Sequence, residues 1–271
     1  MIDKELYKKL LKPPVARAAY SDRTAWLMAE LARIAYIEFD SEEFISEIEK
    51  LELTLIKTFD KGDTQAYIVK RESEKLAILS FRGTELTCKD ILADMKFKFR
   101  DVNGVKIHTG FYDAYMEIAS SIKDEISKLS EYKLYITGHS LGGALALVAT
   151  KSLSADNIAA CYTYGSPRVG KSEFGDSIKT PIYRIVNNSD IVPRLPFFFI
   201  NGYSHHGDMR HLTICNKEYT NLRLLSNPGV FKRLSRQLRT LTSDWKAFIS
   251  NHSKQEYCDK LKHYAISRLD K

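Results

Sequence analysis

Apolar residues recur along this chain with two different periods, and the segments that carry them alternate. From Ala25 to Ile37 a run without Gly or Pro predicts a helix. Leu53 to Phe59 and Gln65 to Lys70 are rich in aliphatic, aromatic and β-branched residues and flank Lys61-Gly62-Asp63, the pattern of a β-hairpin. Leu76 to Phe81 is apolar at most positions, as in a strand covered on both faces. A helix over Tyr112 to Leu129, a strand over Lys133 to Thr137 and a helix over Leu141 to Leu153 follow, then strands over Ile158 to Tyr164 and Ile182 to Val186. Strands alternating with helices predict the α/β class, with a mainly parallel sheet and helices on both faces. Such sheets carry their sites at the C-terminal ends of the strands. Farther on, Phe231, Leu234, Leu238, Leu241, Trp245 and Phe248 recur at intervals of 3, 4, 3, 4 and 3, which is one continuous helical face.

Composition changes this picture mainly by exclusion. At 44% hydrophobic and 28% charged residues, the 271-residue chain is neither disordered nor fibrous. The most apolar short stretch, Leu195 to Ile200, is far below the roughly 18 residues that a membrane-spanning helix needs. Met1 to Lys12 mixes Asp3, Glu5 and several lysines with isolated leucines, unlike a secretory signal. A cytoplasmic or peripheral-membrane location is the expectation. The Pro13-Pro14 pair sets off residues 1–18 as a charged lead, and the simplest parse of 1–271 is one domain. Cys88, Cys161, Cys215 and Cys258 lie far apart with no C-x-x-C pair, so free thiols are expected rather than zinc or a redox dithiol.

The net charge of +7 is local. Residues 1–209 hold 28 Lys and Arg against 29 Asp and Glu, whereas residues 210–271 hold 13 against 5. No nucleic-acid motif accompanies the surplus, and nucleic acid is not an expected partner. Lys232, Arg233, Arg236 and Arg239 lie within the helical segment 231–248, on positions other than its apolar face. Such a helix fits either of two roles: packing on the core with a solvated basic side, or peripheral contact with an anionic membrane.

The chemistry centres on Gly138-His139-Ser140-Leu141-Gly142-Gly143, entered by a predicted strand and left by a predicted helix. G-x-S-x-G in that context is a nucleophile elbow, whose sharp turn lifts the serine hydroxyl clear of the sheet for a base to reach. The amide of Leu141, at a helix N-terminus, is aimed where an oxyanion would form. Read blandly, the same glycines make a packed strand-to-helix turn.

Six blocks in order give the chain a wider likeness: Phe81-Arg82-Gly83-Thr84 with Asp90 and Asp94, His108-Thr109-Gly110-Phe111, the elbow, Tyr164 to Gly170 (YGSPRVG), Asn187 to Pro196 (NNSDIVPRLP), and Tyr203-Ser204-His205 with Gly207. In these the chain resembles the class 3, fungal-type lipases from about Ala19 to Tyr257. The resemblance implies an α/β-hydrolase fold, a Ser-Asp-His triad, a lipid or other ester substrate, and no cofactor. The acid then follows the serine and the base follows the acid. Asp190, directly after the strand at Tyr183 to Asn188, fits the acid; otherwise it is a turn aspartate. His205, His206, His211, His252 and His263 all follow Asp190, and spacing alone does not choose among them. The resemblance does: His252 with Tyr257 matches the family's late histidine and tyrosine, although Asn251 stands where relatives often have Asp. It places His205 as a structural neighbour of the acid loop, and it gives Thr84, by amide and hydroxyl, a share of the oxyanion hole with Leu141. Arg82 is read as an anchor for nearby acids. His263 is read as an exposed helix residue, and His108 and His139 as structural.

A lid, short and charged, is expected to start within 85–106, and Phe197, Phe198 and Phe199 are candidates for the acyl-chain wall or for a core-packing loop. The activities open at this point are a triacylglycerol-type lipase, a phospholipase of A1 type and a short-chain esterase. A non-catalytic binding module on the same fold is the alternative from another class.

Overall fold

The computed structural model describes residues 4–84, 98–196, 202–228 and 250–269. Phe197, Phe198 and Phe199, the expected start of the lid and the 231–248 segment all lie outside these residues.

The chain begins with helices α1 (Lys4–Leu11), α2 (Asp22–Ile34) and α3 (Glu42–Lys50), then strands β1 (Thr54–Lys61), β2 (Thr64–Arg71) and β3 (Leu76–Phe81). A short hairpin, β4 (Phe99–Val102) and β5 (Val105–His108), leads into α4 (Thr109–Ser127). Next come β6 (Lys133–His139), α5 (Leu141–Leu153), β7 (Ile158–Tyr164), α6 (Ser172–Asp176) and β8 (Ile182–Asn187). The described part closes with β9 (Asp208–Leu212), β10 (Leu224–Ser226) and α7 (Lys254–Ile266). Eight strands form one sheet in the order β1-β2-β3-β6-β7-β8-β9-β10. It is parallel from β3 to β9 and antiparallel at both margins.

The period of two along the central strands sorts the core into two layers. Leu76 and Ile78 of β3 and Tyr135 of β6 join the layer under α2, α3 and α7, while Leu79, Phe81, Leu134 and Ile136 join the layer under α4 and α5. Helix α2 is capped by Ser21, whose hydroxyl accepts from the Thr24 amide, and it carries Asp22 in its first turn and Arg33 in its last. These charges suit the helix dipole. Buried on nearly every side between the sheet and α7, α2 meets a row of strand hydroxyls. Tyr67 and Ser80 donate to the Leu31 carbonyl at 2.7 and 3.1 Å, Thr137 to that of Met28 at 3.1 Å, and Tyr164 to that of Ala25. Helix carbonyls thus satisfy hydroxyls that water cannot reach, and they fix the helix against the sheet. The lead is not a loose tail, since Leu10, Leu11 and Val15 are all in the core.

Register places four functional loops at one edge. Phe81 pairs with Gly138, and His139 pairs with Tyr164. The C-terminal ends of β3, β6, β7 and β8 therefore present Thr84, Ser140, Gly165 and Asp190 side by side.

Candidate active site

Ser140 sits between β6 and α5 with φ 57° and ψ −126°, a strained backbone for a residue with a Cβ. Such conformations cost on the order of 1–3 kcal/mol and persist only where the surroundings enforce them. Here the enforcement is local. The Ser140 amide donates to the Tyr164 carbonyl at 2.8 Å, and a Cβ on Gly142 would lie 2.4 Å from the Phe81 carbonyl oxygen. The first turn of α5 is thereby jammed against the end of β3, which brings Thr84 and the α5 N-terminus to the same corner. Thr84, His139 and His252 line a cavity of about 560 Å³.

The structure brings Ser140, His252 and Asp190 together. The Ser140 hydroxyl lies 2.8 Å from His252 Nε2, and His252 Nδ1 lies 2.9 and 3.0 Å from the two Asp190 oxygens. Since Nδ1–H donates to a carboxylate, Nε2 is the lone-pair nitrogen and can take the serine proton. All three residues are buried, Ser140 and Asp190 each to 1% exposure. A buried carboxylate demands partners, and Asp190 accepts from three donors: the imidazole Nδ1–H, shared between its two oxygens, the Val192 amide at 3.0 Å and the Tyr257 hydroxyl at 2.7 Å. Tyr257 in turn accepts from the Asn187 amide at 2.9 Å. Gly165 passes directly beneath with φ +59°, and a Cβ there would meet Asp190 Oδ2 at 2.8 Å and His252 Cε1 at 2.9 Å.

A second set of amides laces the acid loop to the base loop. Asn187 Nδ2 donates to the Asn251 carbonyl at 3.0 Å, and Asn251 Nδ2 donates to the Ser189 hydroxyl at 2.9 Å. Lys260 of α7, 3% exposed, donates to Asn187 Oδ1 at 2.8 Å and pairs with Glu256 at 3.1 Å. This fixes which way round the Asn187 amide lies.

The other histidines are occupied elsewhere. His205 faces the Pro193 carbonyl beneath the acid loop, and its pKa is held well below the ordinary range by burial, with Arg184 and Arg168 nearby. His206 bonds the Ser204 hydroxyl at 2.9 Å, His211 faces the Asn188 carbonyl at 3.1 Å, and His263 lies on α7. His139 bonds the carbonyl of His252, and burial, then the neighbouring His252, keeps its pKa well below the ordinary value. Arg82 pairs with Glu38 at 3.9 Å. Asn187, Asn188 and Tyr257 fall in segments that carried the sequence likeness, but Tyr36 and Lys260 carried no signal of their own. Nothing in a single sequence ties residues 36 and 260 to a serine at 140.

A family model for lipase (class 3) matches residues 78–200. The lipase of Rhizomucor miehei is 35% identical over 181 residues, which is 60% of this chain and 49% of that protein. The solved lipase of Rhizopus microsporus var. chinensis superposes with a TM-score of 0.69 at 28% identity, over 89% of this chain and 91% of that one. A triacylglycerol lipase whose catalytic centre is formed by a serine-protease triad superposes with a TM-score of 0.65 at 28% identity, over 78% of this chain and 86% of that one. The chain spans about half the length of the curated relatives it matches.

Proposed function

We propose that this chain, whose residues 78–200 match the class 3 lipase family model, is a member of that family and hydrolyses carboxylic esters of lipids, acylglycerols foremost, through an acyl enzyme on Ser140. The observation that carries this reading is the unbroken hydrogen-bonded line from the Ser140 hydroxyl through His252 to Asp190. In the first half-reaction Ser140 Oγ attacks the ester carbonyl while His252 Nε2 takes its proton, and Asp190 supports the imidazolium that forms. The developing oxyanion is held by the Leu141 amide and by Thr84, donors of a kind worth about 3 kcal/mol each in the transition state. His252 then hands the proton to the departing alcohol. Water, deprotonated by the same nitrogen, attacks the acyl enzyme, releases the acid and restores Ser140. Every proton moved in both halves passes through one nitrogen, His252 Nε2, which lies 2.8 Å from the Ser140 hydroxyl.

For the lipid surface, we propose peripheral contact with anionic membranes through the basic amphipathic segment 231–248. Its arginines and large apolar residues support this, each basic residue near such a surface adding about 1 kcal/mol.

The central reading is tested by labelling with a fluorophosphonate. The wild-type protein should be labelled and should turn over p-nitrophenyl butyrate, and folded Ser140→Ala should do neither. Turnover by Ser140→Ala near the wild-type rate would overturn it, and absence of Ser140-dependent labelling would leave a binding module on a hydrolase fold.

A further inference from the structure

The histidine inside the elbow is built into the site more closely than a packing role requires. His139 Nε2 lies 2.8 Å from the carbonyl of His252, the base itself. A carbonyl only accepts, so Nε2 carries the proton. His139 Nδ1 lies 2.9 Å from the Tyr36 hydroxyl. In the neutral ring that nitrogen is a lone pair, so Tyr36 donates. The hydroxyl therefore selects the one tautomer that can hold the His252 backbone. The two imidazoles are tilted by 34° to one another with centroids 4.6 Å apart.

Tyr36 is fixed in turn. A Cβ on Gly83 would lie 2.1 Å from its hydroxyl oxygen and 2.5 Å from the His139 carbonyl oxygen, so the phenol tip fills the space against the turn that carries Thr84. The ammonium of Lys254, two residues after the base, lies 3.7 Å from the Tyr36 ring centre. One phenol thus touches the oxyanion turn, the elbow and the base loop, which belong to segments far apart in the chain.

Resting on the reading that Ser140 is acylated, we propose that Tyr36 and His139 form a positioning pair for the catalytic base: the Tyr36 hydroxyl fixes His139 as its Nε2–H tautomer, and His139 holds the His252 backbone so that Nε2 stays on Ser140. Neither residue moves a proton in the reaction. Both act on where the imidazole sits, and a displacement of about 1 Å at such a group can cost 10²-fold in rate.

The test uses the full chain and per-site rates, with the active fraction titrated by fluorophosphonate so that loss of folded protein is separated from loss of chemistry. The probes are fluorophosphonate inactivation and p-nitrophenyl acetate turnover. Tyr36→Phe removes one oxygen and should lower per-site kcat and the inactivation rate about fivefold, with KM within twofold. His139→Phe keeps a flat ring against the base but no donor, and should lose about 30-fold. His139→Gln, which returns an N–H near the Nε2 position, should recover to within about fivefold of wild type. The double variant Tyr36→Phe with His139→Gln should be no slower than His139→Gln alone, because Tyr36 acts through His139. If the wild type is labelled at Ser140 and Tyr36→Phe reacts at the wild-type rate, the positioning pair is refuted, as it is if Tyr36→Phe slows the His139→Gln background as much as the wild type. If the wild type shows no Ser140-dependent labelling, the underlying hydrolase reading fails instead. Should His139→Phe not fold, the hydroxyl deletion at Tyr36 and the double variant decide the matter.

Discussion

Replacing Tyr257 by Phe separates what the acid loop contributes to stability from what it contributes to chemistry. The ring stays and only one oxygen leaves, so no cavity of consequence opens around a residue that is 1% exposed. Two bonds go with it: the donation to Asp190 Oδ2 at 2.7 Å and the acceptance from the Asn187 amide at 2.9 Å. The first is a bond to a charged group, worth about 1.5–3 kcal/mol, and the second leaves a buried N–H unpaired at about 1 kcal/mol or more. Together they come to about 3 kcal/mol. For 271 residues at about 2.1 cal/mol/K of unfolding entropy each, the melting temperature should fall by about 5 °C. Catalysis should suffer less, about three- to tenfold in kcat, because Asp190 keeps the Val192 amide and both contacts to His252. Thermal unfolding by circular dichroism and p-nitrophenyl butyrate turnover on the same preparation provide the two readings. A melting temperature within about 1 °C of wild type would refute the bridging hydroxyl. A kcat loss as large as that of an Asp190 variant would refute the claim that the carboxylate is held from several sides.

Asp190→Asn should cost on the order of 10⁴ in kcat while the protein still folds, and a loss under tenfold would show that another carboxylate supports His252. Acid should destabilise the protein partly through His139, which folding buries as the neutral ring with its pKa well below the ordinary 6.5. Its contribution is full above pH 6.5 and is lost as pH falls below it, because only the unfolded chain then takes up the proton. In denaturant titrations His139→Gln should therefore show a pH slope between 6 and 5 that is flatter by up to about 1.4 kcal/mol per pH unit; equal slopes would mean the ring titrates alike in both states. Joint replacement of Arg233, Arg236 and Arg239 by Gln should weaken sedimentation with anionic vesicles at low salt and lower activity on them, yet spare hydrolysis of a soluble short-chain ester. Unchanged sedimentation would remove the membrane contact.

What the sequence made legible follows from the range over which each signal acts. The period of two and the apolar runs mark β2, β3, β6, β7 and β8, because strands covered on both faces have little freedom in composition. Strand β9 hides behind Asp208 and Arg210, and β10 is only three residues long, so both exist through pairing with neighbours rather than through their own pattern. Helix α1 reads as a charged lead until Leu10 and Leu11 are seen in the core. Ser140 announces itself because its neighbours in sequence are its neighbours in space. Asp190 and His252 were placed by chain order and likeness, and their support by Tyr257, Lys260 and Tyr36 spans 67 to 103 residues of separation. No local pattern encodes contacts of that kind.

The distance along the chain between nucleophile and base also dictates a timetable. Ser140 and His252 are 112 residues apart, and the acid and base are 62 apart, so the serine is translated long before the residue that activates it. Domains fold as the ribosome delivers them. The elbow, with its cost in backbone strain, is framed by β3, β6, β7 and α5, all of which precede residue 165. The base comes into place only when α7, which directly follows His252, docks against α2. A chain that stops between residues 140 and 252 contains the serine and lacks the histidine that would take its proton. On the reading that Ser140 is the nucleophile, ester cleavage is thus withheld from any product that stops short of His252, and the docking of α7 on α2 completes the triad.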